Sequence, residues 1–128
     1  MSKSIKVLII DDEKDFCYFV KKNLMRDGLF DVITATSGKY GIELAESEQP
    51  DIILLDLVMP DIPGGEVAAV LKEAAATANI PILYITALAT DDDIGDNEEK
   101  KTGNNHILPK PVRTKKLIET ILNILKTP

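Results

Sequence analysis

The sequence predicts an α/β fold, in which a doubly wound parallel sheet is covered by helices on both faces. Short apolar runs alternate with amphipathic stretches five times along the 128 residues, and this alternation is typical of repeated βα units. The first run, residues 5–10, is continuously apolar, as expected for a parallel strand that is covered on both faces. Polar residues follow several runs directly, at the strand ends where such sheets bind ligands.

The first strand–helix unit is the clearest. Residues 5–10 form the first strand, and a helix is expected over residues 14–27, with Gly28 as a plausible C-cap. The apolar stripe of this helix consists of Phe16, Val20 and Leu24.

The second and third units have clear boundaries. Residues 31–35 form a short strand, and Ser37 is a good N-cap for a helix that continues to residue 47. The third strand covers residues 51–56. A turn-rich loop over 59–65 separates it from an Ala-rich helix over 66–76.

The fourth and fifth units complete the pattern. Strands are expected over residues 80–85 and 105–108, and the final helix over 113–125 has a strong apolar stripe. Residues 91–101 are a weaker helix candidate, because their like charges and Gly95 disfavour a helix. We expect the helix in this region to be short, shifted or mobile.

Length, composition and charge limit the class of protein. A chain of 128 residues, 45% hydrophobic and 28% charged, fits one domain with one core. Its formal net charge of −6 argues against binding nucleic acid or anionic membrane. The apolar runs are too short to span a bilayer, no signal peptide is visible, and the single Cys17 cannot form an intramolecular disulfide. We therefore expect a cytoplasmic protein.

Polar groups follow four of the predicted strands. Asp11 and Asp12 follow the first strand, Asp56 ends the third, Thr86 follows the fourth and Lys110 follows the fifth. Since the carboxyl ends of parallel strands meet at one edge of the sheet, these side chains should lie together. Three carboxylates, one hydroxyl and one ammonium suit the binding of a divalent cation and of a phosphoryl group.

Each of these residues, taken alone, has a simpler interpretation. Asp11, Asp12 and Glu13 could be an N-cap and first-turn charges of the following helix. Thr86 could be an ordinary β-branched strand residue, and Lys110 a surface charge. These interpretations do not explain why carboxylates end two separate strands, so we favour a common site.

In its motifs the chain resembles the receiver domain of bacterial two-component response regulators, over essentially its whole length. The matching motifs are Asp11-Asp12-Glu13, Asp56-Leu57-Val58-Met59-Pro60, Gly64, Thr86-Ala87 and Lys110-Pro111. The resemblance implies one receiver domain over residues 1–128 with a flavodoxin-like (βα)5 fold. It also implies five parallel strands in the order 2-1-3-4-5 and a cis peptide before Pro111.

The resemblance also implies what the strand-end residues do. Asp56 would be the phosphoacceptor, taking a phosphoryl group from a phosphohistidine of a sensor histidine kinase. A Mg²⁺ cofactor would be held by Asp12, Asp56 and the backbone carbonyl of Val58, with Asp11 acting through water.

After transfer, Lys110 would pair with one phosphoryl oxygen and Thr86 would bond another. By the same resemblance, phosphorylation would switch binding to an output partner, whose identity the sequence does not reveal, and a homodimer is left open.

Two other functions compete with this hypothesis. A pseudo-receiver would keep the fold as a binding module without phosphorylation. An aspartate-nucleophile phosphatase would carry Asp-x-Asp at its nucleophile, whereas the second position here is Val58. We therefore expect a phosphoacceptor and not a multiple-turnover enzyme on external substrates.

The chain departs from the family pattern at three positions. Ile107 replaces the aromatic residue usually found three positions before the lysine, which puts the common coupling between the threonine and that ring in doubt. Val58 and Leu88 are apolar at the two positions that flank the path of the hydrolytic water in the family. Because apolar side chains cannot orient that water, we predict slow self-dephosphorylation.

Overall fold

Alternating strands and helices form the chain, as the apolar runs and amphipathic stretches predict. The computed structural model describes residues 4–26, 28–87, 100–102 and 105–126. The strands are β1 (Ile5–Ile10), β2 (Phe30–Ala35), β3 (Ile52–Leu55), β4 (Ile82–Thr86), β5 (Lys100–Thr102) and β6 (Asn105–Pro109). The helices are α1 (Lys14–Met25), α2 (Gly38–Glu48), α3 (Gly64–Glu73) and α4 (Thr114–Lys126).

The strands form one sheet in the order β2-β1-β3-β4-β6-β5. Every neighbouring pair from β2 to β6 is parallel, which confirms the five predicted strands and their order. The register carries across the sheet: Ile10 lies opposite Leu55, Leu55 opposite Tyr84, and Tyr84 opposite Ile107. The carboxyl ends of the central strands therefore meet at one edge, as required for the predicted site.

The short strand β5 is a correction to the prediction for this region. Lys100 and Lys101 were expected to end a helix over 91–101, but they lie in a strand that pairs antiparallel with β6. Without this pairing, β6 would leave its backbone N–H and C=O groups open at the sheet edge. The rest of the predicted helix, residues 91–99, lies outside the described residues.

The core has two halves, one on each face of the sheet. Because side chains alternate along each strand, Val7 and Ile9 pack with α1 and α4 on one face, and Leu8 and Ile10 pack with α2 and α3 on the other. The helix residues of the first half are Cys17, Val20, Leu24, Leu117 and Ile121. Those of the second half are Ala45, Val67, Ala68 and Leu71. The sheet is thus held rigidly between two helical layers.

A local signal in the sequence explains the start of α2, whereas the predicted limits of α1 and α3 are shifted by about one turn or less. The Ser37 hydroxyl accepts a hydrogen bond of 3.1 Å from the backbone N–H of Tyr40, which confirms Ser37 as the N-cap of α2. Helix α1 ends at Met25, two residues earlier than predicted, and Arg26 rather than Gly28 is its C-cap. Gly28 has φ +76°, the left-handed conformation that favours glycine in the turn after the helix. Helix α3 begins at Gly64, two residues earlier than its predicted start at residue 66. No helix in the described ranges has both the length and the apolar character to cross a membrane.

Candidate functional site

The sheet itself positions the backbone of the strand-end residues. The N–H of Asp11 donates to the carbonyl of Ala35 at 3.0 Å, and the N–H of Asp56 donates to the carbonyl of Ile10 at 3.0 Å. The N–H of Lys110 donates to the carbonyl of Thr86 at 3.1 Å. These hydrogen bonds extend the strand ladders by one residue and fix where each functional side chain leaves the sheet.

Three carboxylates form an acidic cluster at this edge. One oxygen from each of Asp11, Asp12 and Asp56 lies within 4.8 Å of the others. Asp11 and Asp56 are buried, with 1% and 6% of their surface exposed. Carboxylates this close repel one another unless a cation lies near them.

The donor set fits a hard divalent cation. Oδ1 of Asp11 accepts the N–H of Glu13 at 2.9 Å. Oδ2 of Asp11 is buried and lies 2.7 Å from the ammonium of Lys110. Three carboxylates with oxygens this close together offer the oxygen ligands that Mg²⁺ prefers.

The ammonium of Lys110 lies among these carboxylates. Its Nζ is 2.7 Å from Oδ2 of Asp11, 2.5 Å from Oε1 of Glu13 and 3.5 Å from Oδ2 of Asp56. It also lies 4.4 Å from the centroid of the Phe16 ring, within range of a cation–π contact. The peptide bond between Lys110 and Pro111 is cis, as the resemblance implied.

Burial and charge oppose each other in the pKa values of this site. Burial raises the pKa of Asp11, although the hydrogen bonds from Lys110 and from the N–H of Glu13 act to lower it. Burial acts to lower the pKa of Lys110, but hydrogen bonds to Asp11 and Glu13 and the neighbouring negative charges outweigh it and raise that pKa. Lys110 is therefore a permanent cation at neutral pH.

Cys17 lies beneath the acidic cluster but is chemically inert. Its thiol donates to the backbone carbonyl of Asp11 at 3.3 Å. Burial and the nearby charge of Asp11 raise the pKa of Cys17 to about 12. Since the thiolate is the reactive form, Cys17 serves packing rather than chemistry.

The acidic cluster lies at the base of a cavity of about 340 Å³ that is open to solvent. Its lining residues are Asp12, Glu13, Asp56, Val58, Thr86, Ala87 and Lys110. The Thr86 side chain is 1% exposed, whereas that of Val58 is 55% exposed at the rim. The cavity has room for a small tetrahedral group above Asp56.

The loop after β3 is fixed at both of its ends. A Cβ atom on Gly64 would lie 2.2 Å from the carbonyl oxygen of Asp56, so only glycine allows this approach. Asp61 accepts the N–H groups of Gly38 and Lys39 at 3.1 and 3.2 Å, and these hydrogen bonds lower the pKa of Asp61. The loop is thereby tied to the start of α2.

The structure brings every residue of the predicted site to one edge of the sheet. Asp11, Asp12, Asp56, Val58, Thr86 and Lys110 all lie in or directly beneath the cavity. The sequence did not predict that Glu13 and Phe16 both contact Lys110, which is 97 residues from Glu13. Only the three-dimensional path of the loops brings these groups together.

The sequence model of the response regulator receiver domain matches residues 7–122. The chain belongs to this family. Members of the family are signalling modules that histidine kinases phosphorylate and that act on output partners, and they bind Mg²⁺ at an acidic phosphorylation site.

The chain spans very different shares of the curated relatives that it matches. Protein PilH of Pseudomonas aeruginosa is 32% identical over 120 residues, covering 94% of this chain and 97% of PilH. The regulator PhoP of Bacillus subtilis, named for alkaline phosphatase synthesis, is 32% identical, but the chain spans 48% of its length. Histidine kinase P4 of Formosa agariphila is 30% identical over 94% of this chain, which spans 8% of that protein.

Solved structures share the fold over nearly the whole chain. The chemotaxis protein CheY4 of Vibrio cholerae matches with a TM-score of 0.79 and 26% identity, covering 95% of this chain and 99% of that one. A response regulator of Chloroflexus aurantiacus matches with a TM-score of 0.80 and 25% identity, covering 97% and 99%.

Proposed function

We propose that this protein is a phosphorylation-controlled receiver in which Asp56 accepts a phosphoryl group from a sensor histidine kinase in a Mg²⁺-dependent reaction. The observation that carries this function is the position of Asp56, within the acidic cluster and 3.5 Å from the ammonium of Lys110. Residues 1–128 act in this proposal as one receiver domain.

Phosphoryl transfer to Asp56 needs positioning and charge neutralisation more than strong nucleophilicity. A carboxylate oxygen of Asp56 attacks phosphorus, and the new P–O bond forms as the P–N bond of phosphohistidine breaks. The electron pair of the broken bond stays on the imidazole nitrogen, and the product is an acyl phosphate. The open cavity above Asp56 admits the phosphorylated side chain of a kinase.

Asp12, Asp56 and the backbone carbonyl of Val58 would hold the Mg²⁺ ion, with Asp11 acting through water. When bound, the ion neutralises the charge between the carboxylates and the phosphoryl oxygens. The closeness of the three carboxylates, whose oxygens lie within 4.8 Å of one another, supports this assignment.

Lys110 and Thr86 would hold the phosphoryl group after transfer. The Lys110 ammonium lies 3.5 Å from Oδ2 of Asp56 and can turn one of its three donors toward a phosphoryl oxygen. Thr86 lines the same cavity and offers a hydroxyl for another oxygen. Val58 supplies no general acid, so the site supports one phosphorylation event and not repeated turnover of external substrates.

The proposed partners are a sensor histidine kinase and an output protein whose binding changes on phosphorylation. Among the relatives, PhoP is named as a transcriptional regulator, but the chain corresponds to about half of it.

Intact mass spectrometry tests this function. The protein is incubated with acetyl phosphate, with and without Mg²⁺, beside an Asp56→Asn variant. We expect the mass of one phosphoryl group, dependent on Mg²⁺ and absent from the variant. Equal labelling of the variant, or no labelling of the wild type, would contradict the function.

A further inference from the structure

The contact between Glu13 and Lys110 has no part in the function proposed so far. Oε1 of Glu13 lies 2.5 Å from the Lys110 ammonium, closer than Oδ2 of Asp56 at 3.5 Å. An ammonium has three donors, and two of them face Asp11 and Glu13 here. Asp56, the carboxylate that would carry the phosphoryl group, is thus the most distant of the three.

The two close partners differ in how readily they can release the ammonium. The Asp11 side chain is 1% exposed, so breaking its contact would leave a charge without water. The Glu13 side chain is 60% exposed, and its carboxylate can be rehydrated at little cost. Glu13 is therefore the exchangeable partner of Lys110, and Asp11 is the permanent one.

We propose that Glu13 is a positioning residue that holds Lys110 at the mouth of the site before phosphorylation and competes with the incoming phosphoryl group for its ammonium. This role presupposes the function proposed for Asp56. When a phosphoryl oxygen arrives, one donor of Lys110 leaves Glu13 and turns to that oxygen, while Asp11 keeps its contact. The Phe16 ring, 4.4 Å from the ammonium, faces it in the resting position.

Two variants of Glu13 separate the contact from the charge. Glu13→Gln removes the charge and leaves a neutral amide oxygen as a weaker acceptor, whereas Glu13→Asp keeps the charge on a side chain that is one methylene shorter and draws back from Lys110. Glu48→Gln is the matched control, because Glu48 forms a similar exposed ion pair with Lys6 at 3.1 Å, at the opposite edge of the sheet.

The measurement is the affinity for beryllofluoride, a phosphoryl mimic, by ¹⁹F NMR at saturating Mg²⁺, with Mg²⁺ affinity measured separately. We expect both Glu13 variants to bind beryllofluoride about twofold to fivefold more tightly than the wild type, the equivalent of one exposed ion pair. Glu48→Gln should bind it as the wild type does. Glu13→Asp should keep the wild-type Mg²⁺ affinity, since it keeps the charge.

Each other outcome has a distinct meaning. If Glu13→Asp binds beryllofluoride as the wild type does, the contact does not compete and the role is overturned. Weaker binding by both variants would overturn it too, because Glu13 would then be needed to present Lys110. No beryllofluoride binding by the wild type would overturn this role together with the function of Asp56.

Discussion

Gly64 lies against the backbone of Asp56, the proposed phosphoacceptor. A Cβ atom on Gly64 would meet the carbonyl oxygen of Asp56 at 2.2 Å and Cα of Leu57 at 2.6 Å. The N–H of Gly64 donates to the carbonyl of Leu57 at 2.8 Å, which closes the loop. The start of α3 therefore fixes the backbone from which the Asp56 side chain projects.

We expect Gly64→Ala to lower the free energy of unfolding by about 1–3 kcal/mol, because backbone atoms must move to admit the methyl group. The same movement should slow phosphorylation of Asp56. Gly65→Ala is the control, since a Cβ there meets nothing within 4 Å and alanine favours the helix. Urea unfolding and acetyl phosphate labelling check both variants, and equal effects at the two glycines would contradict the close approach.

Lys110→Met should destabilise the protein by about 3 kcal/mol without Mg²⁺, because it leaves the buried carboxylates of Asp11 and Asp56 without their cation. Methionine keeps much of the apolar part of the lysine side chain, so the loss of stability measures the effect of removing the charge. Added Mg²⁺ should restore part of the stability by binding the folded state.

The control for this variant is Lys6→Met, which removes an exposed ion pair with Glu48. It should cost at most about 1 kcal/mol in urea unfolding. A Lys110→Met variant as stable as Lys6→Met would show that the carboxylates do not depend on Lys110.

Asp61 should make stability depend on pH in the acid range. Its pKa lies below the ordinary value of 3.8 because the N–H groups of Gly38 and Lys39 bond its carboxylate. The stabilisation from these hydrogen bonds is therefore complete above pH 3.8, the pKa in the unfolded chain. It is lost as the pH falls through the lower pKa of the folded state. Asp61→Ala should be less stable than the wild type at pH 7. The difference in stability between the two proteins should shrink below pH 3.8. A difference that stays constant with pH in urea unfolding would contradict this capping role.

Val58→Asn should speed the decay of phosphorylated protein about tenfold, the equivalent of one hydrogen bond to the attacking water. Val58 lines the cavity and is 55% exposed, so an amide there can reach solvent above Asp56. Val70→Asn, at a valine that is 45% exposed on α3, is the control. The decay of the phosphorylated mass over time measures the rate, and a fast wild-type rate that Val58→Asn leaves unchanged would contradict slow self-dephosphorylation. Leu88, the second apolar residue of this prediction, lies outside the described residues.

The residues of the site were predictable from the sequence because the order and direction of the strands determine which side chains lie at the same edge of the sheet. Continuous apolar runs such as residues 52–55 identify buried parallel strands, and whatever follows them must reach the same edge of the sheet. Asp56 and Lys110 could therefore be assigned to one site although they are far apart in the chain.

Contacts that depend on loop geometry were not predictable in this way. Glu13 follows the acidic pair and looked like a first-turn charge, yet it pairs with Lys110 across 97 residues. Asp61 was one residue in a turn-rich loop, yet it caps α2. Strand β5 was missed because polar Lys100–Thr102 has no apolar pattern and owes its pairing to the open edge of β6.

Mapping the phosphorylated residue tests the central claim most directly. After labelling with acetyl phosphate and Mg²⁺, borohydride reduces an acyl phosphate to an alcohol, so a phosphorylated aspartate becomes homoserine and can be located by peptide mass spectrometry. We predict homoserine at position 56, and only when Mg²⁺ is present. Homoserine at Asp11 or Asp12 in its place, or none at all, would contradict the assignment of Asp56 as the phosphoacceptor.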